Sequence, residues 1–261
     1  MRLRALLALL LSIGFAGVAS AEGESNTAAE HPEHQTWSWD GVFGTFDRQQ
    51  LQRGYQVYKD VCASCHGMNL VSFRNLSQPG GPGFSDAQVK ALAASFKFPA
   101  LDDKGEPIER NGTAADRFPS PFPNDIAARA ANNNAYPPDL SVIIKARHAG
   151  PDYIYALLIG YADAPKDFNL LPGLNYNPYF EGRQIAMPAP LTSDGQVTWP
   201  EGNPPATKQQ MAKDVVAFLT WAAEPKMEER KQLGVQVMLF LAALAVLLFF
   251  AYRRVWRDVE H

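Results

Sequence analysis

The stretch Cys62-Ala63-Ser64-Cys65-His66 constrains the fold of this chain most, because its spacing is the attachment pattern of c-type haem. On one helical turn, two thiols reach the two vinyl groups of a porphyrin edge, and the next imidazole faces the iron. The alternative is a thioredoxin-like redox pair, which follows a strand and opens a helix. Here the motif closes a helical pattern instead. A zinc site would need further soft or imidazole ligands, and the chain has 2 cysteines. We therefore predict one covalent haem c.

Segments near the two ends predict export and one membrane crossing. Met1 to Ala21 joins two early arginines to an apolar run and small residues, which is typical of a secretory signal cleaved before Glu22. Leu233 to Tyr252 carries no formal charge. At ~1.5 Å per residue it is long enough to cross a hydrocarbon core of ~30 Å. We therefore expect a protein of the bacterial inner membrane with its body in the periplasm.

These patterns divide the chain into five expected segments. They are a signal peptide over 1–21, a periplasmic haem domain over 22–225, a linker over 226–232, a transmembrane helix over 233–252 and a cytoplasmic tail over 253–261. Both cysteines are used by the haem in this interpretation. A structural disulfide is then excluded, although the compartment would permit one.

Hydrophobic spacing and capping residues predict several helices in the body, separated by long loops. Helical or element-forming patterns begin after Asp47, Ser85, Asn124, Asp139, Pro151 and Thr207. The segments rich in Pro, Gly, Asn or charge are expected to be irregular: 67–83, 99–123 and 164–205. The sequence has no glycine-rich phosphate loop and no basic patch, so we expect no nucleic-acid partner.

The second iron ligand decides the chemistry, and the residues favour Met187 for it. Pro188 and Pro190 follow at once and restrict the backbone, which would hold a thioether sulfur in place. The other methionines after Met1 lie too close to His66, in the core stripe of a helix, or in the membrane segment: Met68, Met211, Met227 and Met238. His148 or an open position remains as the alternative. Met/His ligation would raise the reduction potential and leave no site for oxygen or peroxide.

Several longer motifs are more specific than the haem motif. They are RGYQVYKDVCASCHGM at 53–68, PFPNDIAARAANNNAYPPDLS at 121–141, QIAMPAPL at 184–191 and AKDVVAFLTWAAEP at 212–225. With these motifs the chain resembles the cytochrome c1 family, the haem subunits of the cytochrome bc1 complex. The resemblance implies an all-α cytochrome c-type fold with long loop insertions, plus one C-terminal transmembrane helix. It places Met187 on the axial methionine and Arg129 on an arginine that pairs with a haem propionate.

The resemblance also implies a function and partners. The chain would accept an electron from the Rieske iron-sulfur protein and pass it to a soluble or tethered cytochrome c. It would do so within quinol:cytochrome c reductase, beside cytochrome b in a dimeric complex, with no catalysis by the chain alone. From Glu22 to Pro225 there are 16 basic and 23 acidic residues, a net charge of −7. A negative body suits the steering of a basic cytochrome c.

Two other functions are compatible with the haem motif and the membrane segment. One is a membrane-tethered haem peroxidase or gas sensor with an open iron position. The other is the haem subunit of a different respiratory complex, which would perform the same electron transfer with different partners.

Overall fold

The computed structural model describes residues 28–259, so the expected signal peptide over 1–21 lies outside the described residues. Within that range the chain forms six α-helices and two small antiparallel sheets of two strands each. The helices are α1 Arg48–Asp60, α2 Asp86–Ala94, α3 Asp125–Ala131, α4 Gly150–Ile159, α5 Lys208–Ala223 and α6 Met227–Val255. The strands are β1 Lys97–Leu101, β2 Pro107–Asn111, β3 Asn175–Tyr176 and β4 Gln184–Ile185.

Helix starts follow the capping residues of the sequence. Asp47 accepts hydrogen bonds from the backbone N–H groups of the first turn of α1, at 2.9 and 3.2 Å. Ser85 and Gln88 form a reciprocal capping box at the start of α2. Thr207 accepts the N–H of Gln210 at 3.1 Å and begins α5. Because each cap satisfies backbone donors that have no partner inside the helix, these three predicted starts are confirmed.

The core is built where α1 crosses α5. Gly54 allows the close approach, since a Cβ at that position would overlap the carbonyl oxygen of Asp214 and lie 2.8 Å from the Cβ of Phe218. Around this crossing the ring centroids of Tyr58 and Phe218 are 5.8 Å apart, and those of Phe218 and Trp221 are 5.5 Å apart. This crossing fixes the position of the segment that follows α1.

We expect Gly54→Ala to destabilise the folded body by roughly 1–3 kcal/mol, the usual cost of overpacking. Alanine is favoured over glycine in a helix by ~1 kcal/mol, but the new methyl group meets backbone that cannot turn aside. Chemical denaturation of the full chain in detergent measures the difference. Gly234→Ala in α6 is the control, because its Cβ would meet nothing within 4 Å. Equal stability of the two variants would contradict tight packing at the crossing.

Two segments differ from the expectations. The hairpin of β1 and β2 at 97–111 lies mostly within the stretch 99–123 that was expected to be irregular, so the all-α expectation omitted these strands and the short pair β3–β4. The turn of the hairpin is held by the Asp102 carboxylate, which accepts two backbone N–H groups at 2.8 Å each. Local hydrogen bonds of Asp102, rather than hydrophobic alternation, define this hairpin turn.

The element expected at 140–149 consists of turns and ends at Ala149 with φ +60°.

Helix α6 extends away from the body and is almost wholly exposed. It has 29 residues with a mean hydropathy of 2.6 in its most apolar window, none of which is buried. Among the described residues it is the one helix long and apolar enough to cross a membrane. It begins at Met227, so most of the segment expected to be a linker is helical. The exposed apolar surface supports a membrane anchor at the C-terminal end.

Candidate functional site

The two cysteines lie on a short 3-10 turn directly after α1. Cys62 accepts the backbone N–H groups of Cys65 at 3.1 Å and His66 at 2.9 Å, which closes the motif into one compact turn. Both thiols are free and half-buried. Desolvation, followed by the neighbouring Cys65, raises the pKa of the Cys62 thiol to about 12. A redox-active dithiol requires a lowered pKa, so this environment favours thioether attachment over the thioredoxin-like alternative.

The imidazole of His66 is oriented by the segment before Leu140. Its Nδ1 lies 2.8 Å from the carbonyl oxygen of Pro138. Because a carbonyl only accepts, Nδ1 carries the hydrogen and Nε2 keeps its lone pair for a metal. Burial lowers the pKa of His66, which keeps the ring neutral. The backbone N–H of Leu140 donates to Gly67 at 2.8 Å, so the two segments are also joined directly beside the ligand.

A polar cavity of about 200 Å³ lies beside Cys65. Its walls come from the loop after the motif, the start of α3 and the segment before Leu140, and include Gly67, Pro123, Ala128, Tyr136 and Asp139. Arg129 is exposed next to this cavity. Its guanidinium lies over the Tyr136 ring at 5.5 Å and donates to the carbonyl of Asn134 at 3.1 Å. The structure therefore brings Cys65 and the neighbourhood of Arg129 to one region.

Met187 lies half-buried in the loop after β4, and its backbone is held from two directions. The Tyr161 hydroxyl donates to the carbonyl oxygen of Met187 at 3.1 Å, and the Asn175 side-chain amide lies 3.3 Å from the same oxygen. Neither partner was predicted from the sequence, because Tyr161 follows an apolar helical pattern and Asn175 lies in a turn-rich stretch. Ligation of iron by the Met187 sulfur stays a prediction.

The other candidates for the second iron ligand lie at positions where another role or their exposure explains the residue. Met68 and Met211 are fully buried in the hydrophobic core, where a methionine usually serves packing. Met238 is exposed on α6, and His148 is exposed on the turn before α4. Met227, at the start of α6, is also buried. Among the methionines of the described range 28–259, these positions leave Met187 as the one in a loop outside the core and the membrane segment.

The side chains present fit a c-type haem. Two free thiols stand at the motif spacing on one turn, and a neutral imidazole beside them has an available Nε2. A cavity with polar walls adjoins one of the thiols. Cys62, Cys65 and His66 would hold the group on one side, and the chemistry it supplies there is reversible one-electron transfer.

Comparison with known families decides the assignment. The family model described as the Cytochrome C1 family matches residues 37–259, which include Cys62, Cys65, His66, Arg129 and Met187. This chain belongs to the cytochrome c1 family. The resemblance predicted from the sequence motifs is thereby confirmed, whereas the roles of individual residues remain predictions.

Members of the cytochrome c1 family from bacteria and plants are similar over most of this chain. Cytochrome c1 of Rhodospirillum rubrum is 47% identical over 275 residues, covering 99% of this chain and 98% of that protein. Cytochrome c1-2, heme protein, mitochondrial, of Solanum tuberosum is 49% identical over 243 residues, covering 93% and 90%. Cytochrome b/c1 of Bradyrhizobium diazoefficiens is 48% identical over 257 residues. This chain spans only 37% of that longer protein.

Proposed function

We propose that this chain is the haem-bearing electron-transfer subunit of a quinol:cytochrome c reductase, the cytochrome bc1 complex. It accepts one electron from the Rieske iron-sulfur protein and passes it to a soluble or tethered cytochrome c. The observation that carries the proposal is a haem-attachment turn with a metal-ready His66, in a chain that matches the cytochrome c1 family over 37–259. The chain makes and breaks no substrate bonds by itself.

In this proposal five side chains hold one haem c. Cys62 and Cys65 would attach it through thioethers, and His66 and Met187 would bind its iron. The hydrogen bond to Pro138 keeps the imidazole in the metal-binding tautomer. Arg129 would pair with a propionate, for which an exposed guanidinium beside the cavity is suited. With both ligands in place, the group would transfer electrons and would not bind small molecules at the iron.

The proposed location is the bacterial inner membrane, with the haem domain in the periplasm. Residues 1–21 direct export, 233–252 cross the bilayer once and 253–261 face the cytoplasm. The exposed apolar surface of α6 supports the crossing and also suits a lateral contact with cytochrome b. The complex is expected to be dimeric.

The charge of the body supports a basic acceptor. Electron transfer to a positively charged cytochrome c is expected to slow by about tenfold or more between low and high salt, because screening removes electrostatic steering. Stopped-flow reduction of cytochrome c by the purified complex measures this. A rate independent of salt would contradict an acidic docking face on this chain.

Assembly is tested by purification from native membranes through a tag on the chain. We expect cytochrome b and an iron-sulfur protein in the same complex. Recovery with a different respiratory enzyme would replace this proposal. Rapid carbon monoxide binding by the native reduced form would instead favour the peroxidase or gas-sensor alternative, because it requires an open iron position.

A further inference from the structure

The turn before α1 presents two exposed apolar side chains at the base of α6. Val42 is 60% exposed and Phe43 is 83% exposed, on a turn that begins at Gly41 with φ +70° and ends at Gly44. The aromatic residues just before it behave differently. Trp37 and Trp39 are buried and stacked at 4.9 Å. They stiffen the segment while the Gly41–Gly44 turn projects from it.

Two charged side chains of α6 fix the Gly41–Gly44 turn to the helix. The Lys231 ammonium donates to the carbonyl oxygens of Trp39, Gly41 and Gly44 at 2.5, 2.7 and 3.2 Å. Glu228 accepts the backbone N–H of Phe46 at 2.8 Å. A lysine that satisfies three carbonyls leaves the turn little freedom relative to the helix. The height of Phe43 along α6 is therefore set by the fold.

That height coincides with the start of the apolar span. A cleft of about 330 Å³ between the turn and α6 is lined by Val42 and Phe43 on one side and by Val235 and Gln236 on the other. Gln236 lies three residues beyond Leu233, or about 5 Å along the helix at ~1.5 Å per residue. Relative to the proposed span, which begins at Leu233, Phe43 therefore lies at the level of the first helical turn.

We propose that the Gly41–Gly44 turn is a second membrane contact, with Val42 and Phe43 inserted into the lipid interface beside α6. The inference rests on the proposed anchoring through α6, whose exposed surface continues with Met238, Leu239 and Phe240. An apolar pair that is continuous with a lipid-facing helix is stabilised by the bilayer boundary. Two contact points prevent the haem domain from tilting freely about the start of α6 and so restrict its orientation over the membrane.

Photo-crosslinking in native membranes tests the contact without adding a cysteine. Phe43→p-benzoylphenylalanine in the full chain is expected to yield, on irradiation, a covalent phospholipid adduct detected by mass spectrometry. Ile126→p-benzoylphenylalanine is the matched control, because Ile126 is 81% exposed but lies on α3. The adduct at position 43 should exceed that of the control several-fold. A cross-link to another protein subunit, or a yield no higher than that of the control, would overturn the proposal.

Two further measurements separate this contact from the anchor. Carbonate extraction should leave the chain in the membrane. Release of the chain would contradict both the proposed anchor and the proposed contact. Retention without a lipid adduct at Phe43 would remove the contact alone. Lys231→Met should lower the adduct yield several-fold while membrane retention and haem attachment stay unchanged, since it frees the turn from α6. An unchanged yield would show that the tether does not set the depth of Phe43.

Discussion

Replacing Met187 by leucine is expected to lower the haem reduction potential by an amount on the order of hundreds of millivolts, given the range that axial ligands command. A thioether is a soft, uncharged ligand that favours ferrous iron. The substitution removes the sulfur but keeps the backbone carbonyl that Tyr161 and Asn175 hold. The loop should therefore stay in place, and the change reports ligation rather than unfolding. A redox titration of the full chain measures the potential.

Met211→Leu is the matched control for this titration. Met211 is fully buried in α5, and a volume-conserving exchange there should leave the potential near that of the unsubstituted chain. The sulfur-to-iron charge-transfer band in the red should disappear in Met187→Leu and persist in the control. If the potential and the band survive in Met187→Leu, the ligand lies elsewhere, and His148→Ala becomes the next variant to titrate.

The sequence was sufficient for features that depend on a few neighbouring residues. Asp47, Ser85 and Thr207 begin helices in the structure because a side-chain oxygen satisfies nearby backbone donors whatever the remote fold. The haem motif is likewise a local spacing, since Cys62 and His66 are joined across one turn. Gly54 is a local signal of the same kind, because a glycine inside a helical pattern is costly unless another element approaches closely, as α5 does here.

Features that depend on remote partners were not readable. The hydrogen bond from His66 to Pro138 joins residues that are 72 positions apart, and no local sequence pattern predicts it. The same holds for the hydrogen bond from the Tyr161 hydroxyl to the Met187 carbonyl, because Tyr161 lies just beyond the end of α4 and 26 positions before Met187. The hairpin at 97–111 was hidden by its proline, glycine and charges, which also describe an irregular loop. In each case the local sequence was compatible with more than one structure, and contacts with remote residues selected the one observed.

A buried ion pair between α1 and α5 gives the largest expected loss of stability. Arg53 contacts the Asp214 carboxylate through two nitrogens at 2.8 and 3.2 Å, and Gln210 donates to it at 2.8 Å. The two side chains of the pair are 9% and 0% exposed. Arg53→Met should destabilise the chain by about 3–5 kcal/mol, because a buried carboxylate loses its cation while the apolar stem is kept. Chemical denaturation in detergent measures the free energy of unfolding.

The loss should depend on pH in a defined direction. Burial raises the pKa of Asp214, while Arg53 and Gln210 oppose that rise. Without Arg53 the pKa rises further, so the folded state binds a proton that the unfolded state releases. Stability then falls as pH increases from the ordinary carboxyl pKa, about 4, through the raised value. The deficit of Arg53→Met should therefore be larger at neutral pH than in mild acid.

An exposed pair provides the control for this variant. Arg110 forms a bidentate contact with Asp116 at 2.6 and 2.5 Å, but its side chain is 41% exposed. The charge that Arg110→Met leaves behind is that of Asp116, which is 16% exposed and keeps the backbone N–H and the hydroxyl of Thr113 as donors at 2.7 and 2.9 Å. Removal of the exposed Arg110 side chain also opens this carboxylate to water, so the loss should not exceed about 1 kcal/mol. Equal losses in the two variants, or a deficit of Arg53→Met that is constant with pH, would show that Asp214 is not held ionised by Arg53. The two losses should differ because the Asp214 carboxylate is fully buried. At the crossing of α1 and α5, protein groups rather than water must stabilise its charge.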